Sequence, residues 1–202
     1  MKENTANPVV NTFIQALANL KTTVTDNEIV ARTLISVEKI VHTLRADGKV
    51  LICGNGGSHC SALHFAEELT GKFRDDRPPI SAIALGEATH TSCVGNDYGF
   101  QFGLSRQVEA LVRKPDVLVL LSTSGNSENL ILAATVAKNR GTQTVALLGR
   151  GGGQLKNIVD VPIIFPGETS DRIQELHMLF LHLIVDLVER ELFPKAAKLV
   201  VV

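Results

Sequence analysis

The sequence contains no tryptophan, and aromatic residues make up only 4% of its 202 positions. Aromatic platforms on which nucleobases stack are therefore scarce. The formal net charge is −1, from 20 basic and 21 acidic residues, so there is no excess of positive charge. Proteins that bind nucleic acid usually carry a basic stripe. We therefore predict no nucleic-acid partner.

Long apolar runs and an even set of cysteines are also missing. No apolar signal segment follows the N-terminal residues 1–5, and the most apolar stretch, 180–188, is interrupted by His182 and Asp186. The cysteines show no metal-type spacing and fit free thiols in a reducing cytosol; they are Cys53, Cys60 and Cys93. The sequence predicts a cytoplasmic protein with no membrane partner.

Short apolar runs alternate with amphipathic segments from residue 48 onward. Five runs have the character of buried strands, at 49–53, 80–85, 116–121, 144–148 and 161–165. Helical spacing predicts helices near 58–72, 88–95, 99–112 and 127–139, and a last helix from Ser170 to Pro194. Such alternation is typical of a parallel sheet with helices on both faces. We predict a three-layer, doubly wound α/β fold of about five strands, flavodoxin-like in type.

Two additional amphipathic helices precede the first strand, within residues 1–47. Asn7 followed by Pro8 is the pattern of an N-cap and a first helical residue, and Asp26 opens the second helix. These helices cover either the sheet or another subunit. Because no repeat, linker or low-complexity tract is found, we predict one domain over 1–202, with its α/β core at 48–194.

The first polar loop, Gly54-Asn55-Gly56-Gly57-Ser58-His59, directly follows a predicted strand. Glycines let backbone N–H groups approach an anion, and the next helix offers its positive end. A dinucleotide fingerprint would need a third glycine where His59 stands, and no acidic residue ends a following strand. We therefore predict no nucleotide cofactor. A tight turn without a ligand is the alternative.

The second polar loop, Ser122-Thr123-Ser124-Gly125-Asn126-Ser127, places four hydroxyl groups at the start of a helix. Capping needs only one of them. The surplus favours a phosphate, whose oxygens accept hydrogen bonds from O–H and N–H groups. No Walker lysine follows, which disfavours hydrolysis of a nucleoside triphosphate. The glycine cluster at 149–153 is interpreted as a turn without chemistry.

His64 and Glu68 are the first candidates for binding a metal or transferring protons. They are four residues apart and share one helix face, as two ligands of one divalent metal would, or a base with its orienting partner. An ordinary surface pair has the same spacing. The neighbouring Glu67 is predicted to point elsewhere and to be a solvated or structural residue.

The last predicted helix carries Gln174, His177 and His182 along an apolar stretch. A histidine in such a stretch is usually a core residue with satisfied ring nitrogens. Gln174 and His182 are separated by a rise of about 12 Å, which makes one shared metal awkward. One resolution is that the two ligands come from different subunits.

Four stretches together resemble the phosphoheptose isomerases of the sugar isomerase (SIS) domain family. They are long and ordered, and read CGNGGSHCSALHFAEELTG (53–71), SCVGNDYGF (92–100), STSGNS (122–127) and DRIQELH (171–177). The resemblance implies an isomerase that converts sedoheptulose 7-phosphate into D-glycero-D-manno-heptose 7-phosphate, on the route to lipopolysaccharide heptose. It also implies homotetramers with sites between subunits.

The resemblance further implies roles for individual residues. Glu68 and His182 match the acid/base pair. One zinc per subunit would be bound by His64, Glu68, Gln174 and His182. Contacts with the sugar phosphate would come from Asn55, Gly56, Gly57, Ser58, Glu68, Asn96, Asp97, Ser122, Thr123, Ser124, Ser127, Asp171 and Gln174.

Two features depart from this pattern. Lys72 stands where close relatives carry arginine, which keeps the charge but loses bidentate binding. The segment 191–194 resembles a non-enzymatic relative that binds the replication initiator protein. That relative lacks the acid and the final histidine that are present here as Glu68 and His182. The isomerase is therefore favoured, and a tetrameric SIS-fold regulator is the alternative.

Overall fold

A computed structural model describes residues 7–194 and centres on a parallel sheet in the order β2-β1-β3-β4-β5. The strands are β1 (Val50–Gly54), β2 (Ala82–Ala84), β3 (Val117–Ser122), β4 (Gln143–Leu148) and β5 (Val161–Ile164). Every residue of β1 and β3 is buried, because helices cover both faces of the sheet. The predicted doubly wound α/β fold is confirmed.

The described residues contain seven α-helices. They are α1 (Pro8–Thr25), α2 (Asn27–Arg45), α3 (Gly57–Thr70), α4 (Ala88–Asp97), α5 (Gly103–Leu111), α6 (Glu128–Asn139) and α7 (Ser170–Leu192). The helix predicted over 99–112 is instead a 3-10 turn, Phe100–Phe102, followed by α5. Gly99 precedes this turn with a φ of 104°, which a continuous α-helix does not allow.

Successive residues of the central strands face two different cores. Val50 and Ile52 pack with α2, α3 and α7, whereas Leu51 and Cys53 pack with α5 and α6. This follows from the twofold repeat of a strand, which sends neighbouring side chains to opposite faces. Burial raises the pKa of the Cys53 thiol to about 12, because the thiolate would lose its solvation.

The two N-terminal helices have different environments. Asn7 Oδ1 accepts from the Val9 N–H, and Asp26 Oδ1 accepts from the Glu28 N–H, so both predicted caps are present. α2 packs against α7 and β5. In α1 only Thr23 is buried. Leu20 packs against the core, but six other apolar side chains are exposed; they are Val9, Val10, Phe13, Ile14, Leu17 and Val24.

The sheet positions the functional residues at one edge. β1 and β3 are adjacent and parallel, with Gly54 paired to Leu121, so the two polar loops that follow them are neighbours. α3 and α6 start directly after these loops. Within residues 7–194, no helix is long and apolar enough to cross a membrane.

Candidate active site

The glycine loop after β1 turns sharply into α3. Gly56 has a φ of 52° and ψ of −123°, a conformation that side-chain-bearing residues rarely adopt. The amide of Asn55 is fixed by a reciprocal pair with Asn129 at the start of α6, with N···O distances of 2.9 and 2.8 Å. Asn129 was not predicted from the sequence. It holds Asn55 in one orientation at the edge of the sheet.

The serine loop after β3 leaves hydroxyl groups available. Ser122 Oγ accepts from the Gly125 N–H at 3.0 Å, which closes the turn. Ser127 is the N-cap of α6, yet its side chain makes no capping hydrogen bond. The Ser127 hydroxyl and the first N–H groups of α6 therefore have capacity for a ligand.

The glycine turn 149–153 packs against the serine loop, residues 122–127. A Cβ on Gly125 would lie 2.1 Å from the Gly152 carbonyl oxygen, so two backbones are in direct contact there. The Leu155 N–H donates to the Gly125 carbonyl at 3.0 Å. The prediction of a simple turn misses this close packing, which needs glycine on both sides.

A cavity of about 300 Å³ lies where these loops meet. The N-terminal turns of α3, α6 and α7 surround it, so three helices direct positive partial charge toward it. No lysine or arginine lines it. Of the residues predicted to contact substrate, the lining includes Asn55, Gly56, Gly57, Ser58, Ser122, Thr123, Ser127 and Gln174. It also includes Ser170, which sequence reasoning missed.

Five predicted contacts lie outside the cavity lining, and one of them, Glu68, belongs to the histidine cluster described below. Ser124 Oγ instead accepts from the Asn126 N–H at 3.2 Å. Asn96 and Asp97, on α4, hydrogen-bond to each other at 2.8 Å. Asp171 is the second residue of α7, and hydrogen bonds from the side chains of Thr169 and, to a smaller extent, Arg172 lower the pKa of its carboxyl to about 2. It is therefore ionised at neutral pH.

A second cluster joins α3 to α7. His64 Nε2 lies 3.2 Å from His182 Nε2 and 3.3 Å from Glu68 Oε1. All three side chains offer an atom within 4.8 Å of the others. The spacing of His64 and Glu68 thus gives a convergent pair, and tertiary packing adds His182 from the other helix.

The chemistry of this donor set fits a divalent metal. Ligands of a tetrahedral zinc at about 2.0–2.1 Å are about 3.3 Å apart, which matches the two distances in the cluster. Two neutral imidazoles cannot both present lone pairs to each other without a shared proton or cation. Glu68 Oε2 is buried and has no hydrogen-bond partner in the described part of the chain. A buried carboxylate oxygen without a partner costs folding free energy unless a cation or a substrate interacts with it.

Surrounding residues hold the cluster in place. The Phe73 ring stacks on His182, with centroids 6.0 Å apart. Arg77 Nη2 donates to the Glu68 carbonyl at 2.6 Å, and its Nε donates to Glu189 at 2.7 Å. Glu67 is solvated as predicted, with a side chain 65% exposed, but it does not point away, since its Oε2 lies 3.6 Å from His64 Nδ1. That contact favours the tautomer whose Nε2 lone pair faces the cluster.

Gln174 lines the cavity. Its side-chain amide donates to Ser58 Oγ at 3.4 Å and fills the space where a Cβ of Gly57 would lie. His182 is two turns farther along α7. The same helix thus carries Gln174 in the cavity lining and His182 in the cluster.

His177 lies between them on α7 but faces the core, in edge contact with Phe165 at 5.2 Å. Burial lowers the pKa of its imidazole to about 4; the Leu148 carbonyl offsets part of that effect. Neither ring nitrogen makes a hydrogen bond of normal geometry within residues 7–194. The expected core histidine is confirmed in its burial, but its nitrogens are not satisfied.

This environment predicts a pH-dependent loss of stability. Because the unfolded state binds a proton near pH 6.5 and the folded state only near pH 4, acidification between these values favours unfolding. The His177 contribution is about 3 kcal/mol at most over that window. Urea unfolding at pH 8, 6 and 4.5 checks this: His177→Leu is expected to flatten the decline. An unchanged pH dependence in the variant, with His42→Gln as the exposed control, would contradict it.

Comparison with known proteins gives concordant results. The sequence model of the SIS domain matches residues 12–149. A phosphoheptose isomerase of Vibrio parahaemolyticus is 46% identical over 190 residues, covering 94% of each chain. The structure of phosphoheptose isomerase GmhA from Neisseria gonorrhoeae superposes with a TM-score of 0.84 at 38% identity, over 90% of this chain and 96% of that one. A phosphoheptose isomerase from Francisella tularensis gives 0.84 at 34%, with the same coverages.

Proposed function

Because the chain belongs to the phosphoheptose isomerases of the SIS domain family, we propose that it converts sedoheptulose 7-phosphate into D-glycero-D-manno-heptose 7-phosphate through a metal-assisted enediol mechanism. That it is a sugar-phosphate isomerase follows from the family. The observation that carries the finer proposal is the separation between the anion cavity and the His64–Glu68–His182 cluster.

This separation suits the length of the substrate. Along α3, Ser58 and His64 are six residues apart, a rise of about 9 Å, and along α7 Gln174 and His182 are about 12 Å apart. An extended seven-carbon sugar places its phosphorus on the order of 10 Å from C1 and C2. A phosphate in the cavity therefore leaves the reacting carbons at the cluster. A six-carbon substrate would be about one bond shorter.

Glu68 is the proposed proton shuttle. Moving the carbonyl from C2 to C1 requires one carbon to lose a proton and its neighbour to gain one, through an enediol. Glu68 Oε1 lies 3.3 Å from His64 Nε2, whereas Oε2 is buried without a partner in the described part of the chain. Because a substrate carbon cannot reach a fully buried oxygen, the Glu68 carboxylate would have to swing between binding the metal and accepting the proton.

The remaining residues orient the reaction. His182 can move protons on the O1 and O2 oxygens, since an imidazole ring has one nitrogen that donates a proton and one that accepts it. His64, Glu68 and His182 would hold the metal, which we propose to be one zinc per subunit. A bound divalent ion would stabilise negative charge that develops on the substrate oxygens. Gln174 and Ser58, linked to each other, would contact the sugar between phosphate and cluster.

We also propose a cytoplasmic homotetramer with sites between subunits. Two observations support an assembly of several chains. The apolar face of α1 is exposed, and exposed apolar faces of this kind mark interaction surfaces. Asn96 and Asp97 lie outside the cavity lining of their own chain, which suits a role at a neighbouring subunit's site.

The experiment that tests this function supplies purified protein with sedoheptulose 7-phosphate and follows the aldose product by NMR. We expect turnover, and slower turnover with D-fructose 6-phosphate, because the shorter chain reaches the cluster less well. Pull-down of the replication initiator protein without any turnover would replace this proposal with the regulator.

A further inference from the structure

Arg150 adopts an unfavourable backbone conformation beside the phosphate cavity. It follows β4 with a φ of 46°, in the left-handed region that residues with a side chain avoid. Residues held in this region cluster at functional sites. Four glycines surround it in the turn 149–153, and glycine would take the same conformation without strain. The chain nevertheless carries a long cation at this position.

Two hydrogen bonds direct the Arg150 guanidinium toward the cavity. Nε donates to the Glu168 carbonyl oxygen at 3.0 Å, which anchors the side chain. Nη2 donates to Ser170 Oγ at 3.3 Å. Ser170 lines the cavity, and its Oγ lies 3.1 Å from Oγ1 of Thr123, another lining residue.

Arginine fixes the direction of this hydrogen-bond chain, because a guanidinium has donors and no acceptor. Ser170 Oγ must accept from Arg150, so its own hydrogen points away from the guanidinium, to Thr123 or to a ligand. If Thr123 accepts it, the Thr123 hydrogen is free for the ligand. A phosphate dianion only accepts hydrogen bonds, so it needs hydroxyl groups whose hydrogens point toward it.

We propose that Arg150 is a positioning residue for the phosphate group: through Ser170 it turns hydroxyl hydrogens into the cavity, and it adds positive charge behind a lining that has none. The inference rests on the proposed function, which places a phosphate there. Arg150 would thus contribute to phosphate recognition although it does not line the cavity.

Arg150→Gly is the informative variant, because glycine suits a φ of 46° and the melting temperature should be unchanged or higher. We expect KM for sedoheptulose 7-phosphate and Kd for inorganic phosphate to rise about 5–20-fold, with kcat changed less than about twofold. Arg150→Lys should recover part of the affinity. Lys156→Ala removes an equal charge from a residue that donates to the Gly151 carbonyl, and should leave both constants within about twofold.

Ser170→Ala tests the connection. Adding Arg150→Gly to Ser170→Ala should raise Kd less than Arg150→Gly does alone, because the two residues act through one chain. If the two substitutions raise Kd independently, so that their effects add, Arg150 does not act through Ser170. Phosphate affinity of Arg150→Gly within about twofold of the parent, while the parent turns over sedoheptulose 7-phosphate, overturns the inference and leaves the function intact. A parent protein that binds neither phosphate nor sugar phosphate overturns both.

Discussion

Replacing Glu68 with glutamine is expected to lower kcat by about 10²–10⁴-fold, the usual contribution of a general base. Glutamine keeps the shape and the buried environment but cannot accept a proton from carbon. In free energy this is about 3–5 kcal/mol on the barrier. Since Glu68 also belongs to the cluster with His64 and His182, zinc content is measured at the same time. Turnover that stays low at saturating zinc assigns the loss to the missing base.

Glu67→Gln is the matched control for this result. The two residues are adjacent on α3, but the Glu67 side chain is 65% exposed and that of Glu68 only 13%. A glutamine at 67 still offers an oxygen to His64 Nδ1, so kcat should fall less than about threefold. Equal losses in the two variants would contradict the assignment of the base to Glu68. Melting temperatures of both variants show whether the fold is kept.

His182→Gln is expected to weaken zinc binding and turnover together. The imidazole provides one of two ring nitrogens in the cluster, 3.2 Å from that of His64. Loss of a residue that supports a metal ligand lowers metal affinity about 10–100-fold, and loss of a direct ligand should lower zinc affinity by more. Removing its proton transfer should lower kcat by a further factor of about 10². Competition with a chromophoric chelator measures the first effect, and single-turnover kinetics at saturating zinc measures the second.

His42→Gln provides the comparison for His182. His42 is exposed on α2 and lies beside Thr43 and Gln143, at the amino end of the sheet. Its replacement should change neither zinc affinity nor kcat by more than about twofold, as for most surface positions. Zinc affinity of His182→Gln equal to that of the parent would remove His182 from the proposed ligand set.

Local signals were sufficient to predict the fold. Buried parallel strands consist of continuous runs of apolar residues, and such runs alone predict β1 and β3. Their carboxyl ends then bring the glycine and serine loops to one edge of the sheet. The boundaries were less accurate where glycine intervened, as at Gly99, since one positive φ ends a helix that apolar spacing would continue.

Long-range contacts explain what was missed. The pairing of His64 with His182 joins residues 118 positions apart, which no local spacing encodes. Ser170 and Arg150 reach the cavity only because α7 and the turn after β4 converge there. The resemblance places Gln174 among the metal ligands, and tertiary packing adds a contact between Gln174 and Ser58 in the cavity that no local spacing predicts.

The central claim is that a metal held near His64, Glu68 and His182 assists isomerisation of sedoheptulose 7-phosphate. Its most direct measurement follows product formation by NMR with metal-replete protein, after removal of metal by a chelator, and after zinc is restored. We predict conversion, loss of conversion and recovery, in that order. No turnover by the metal-replete protein, or full turnover by protein shown to be free of metal, would contradict the claim.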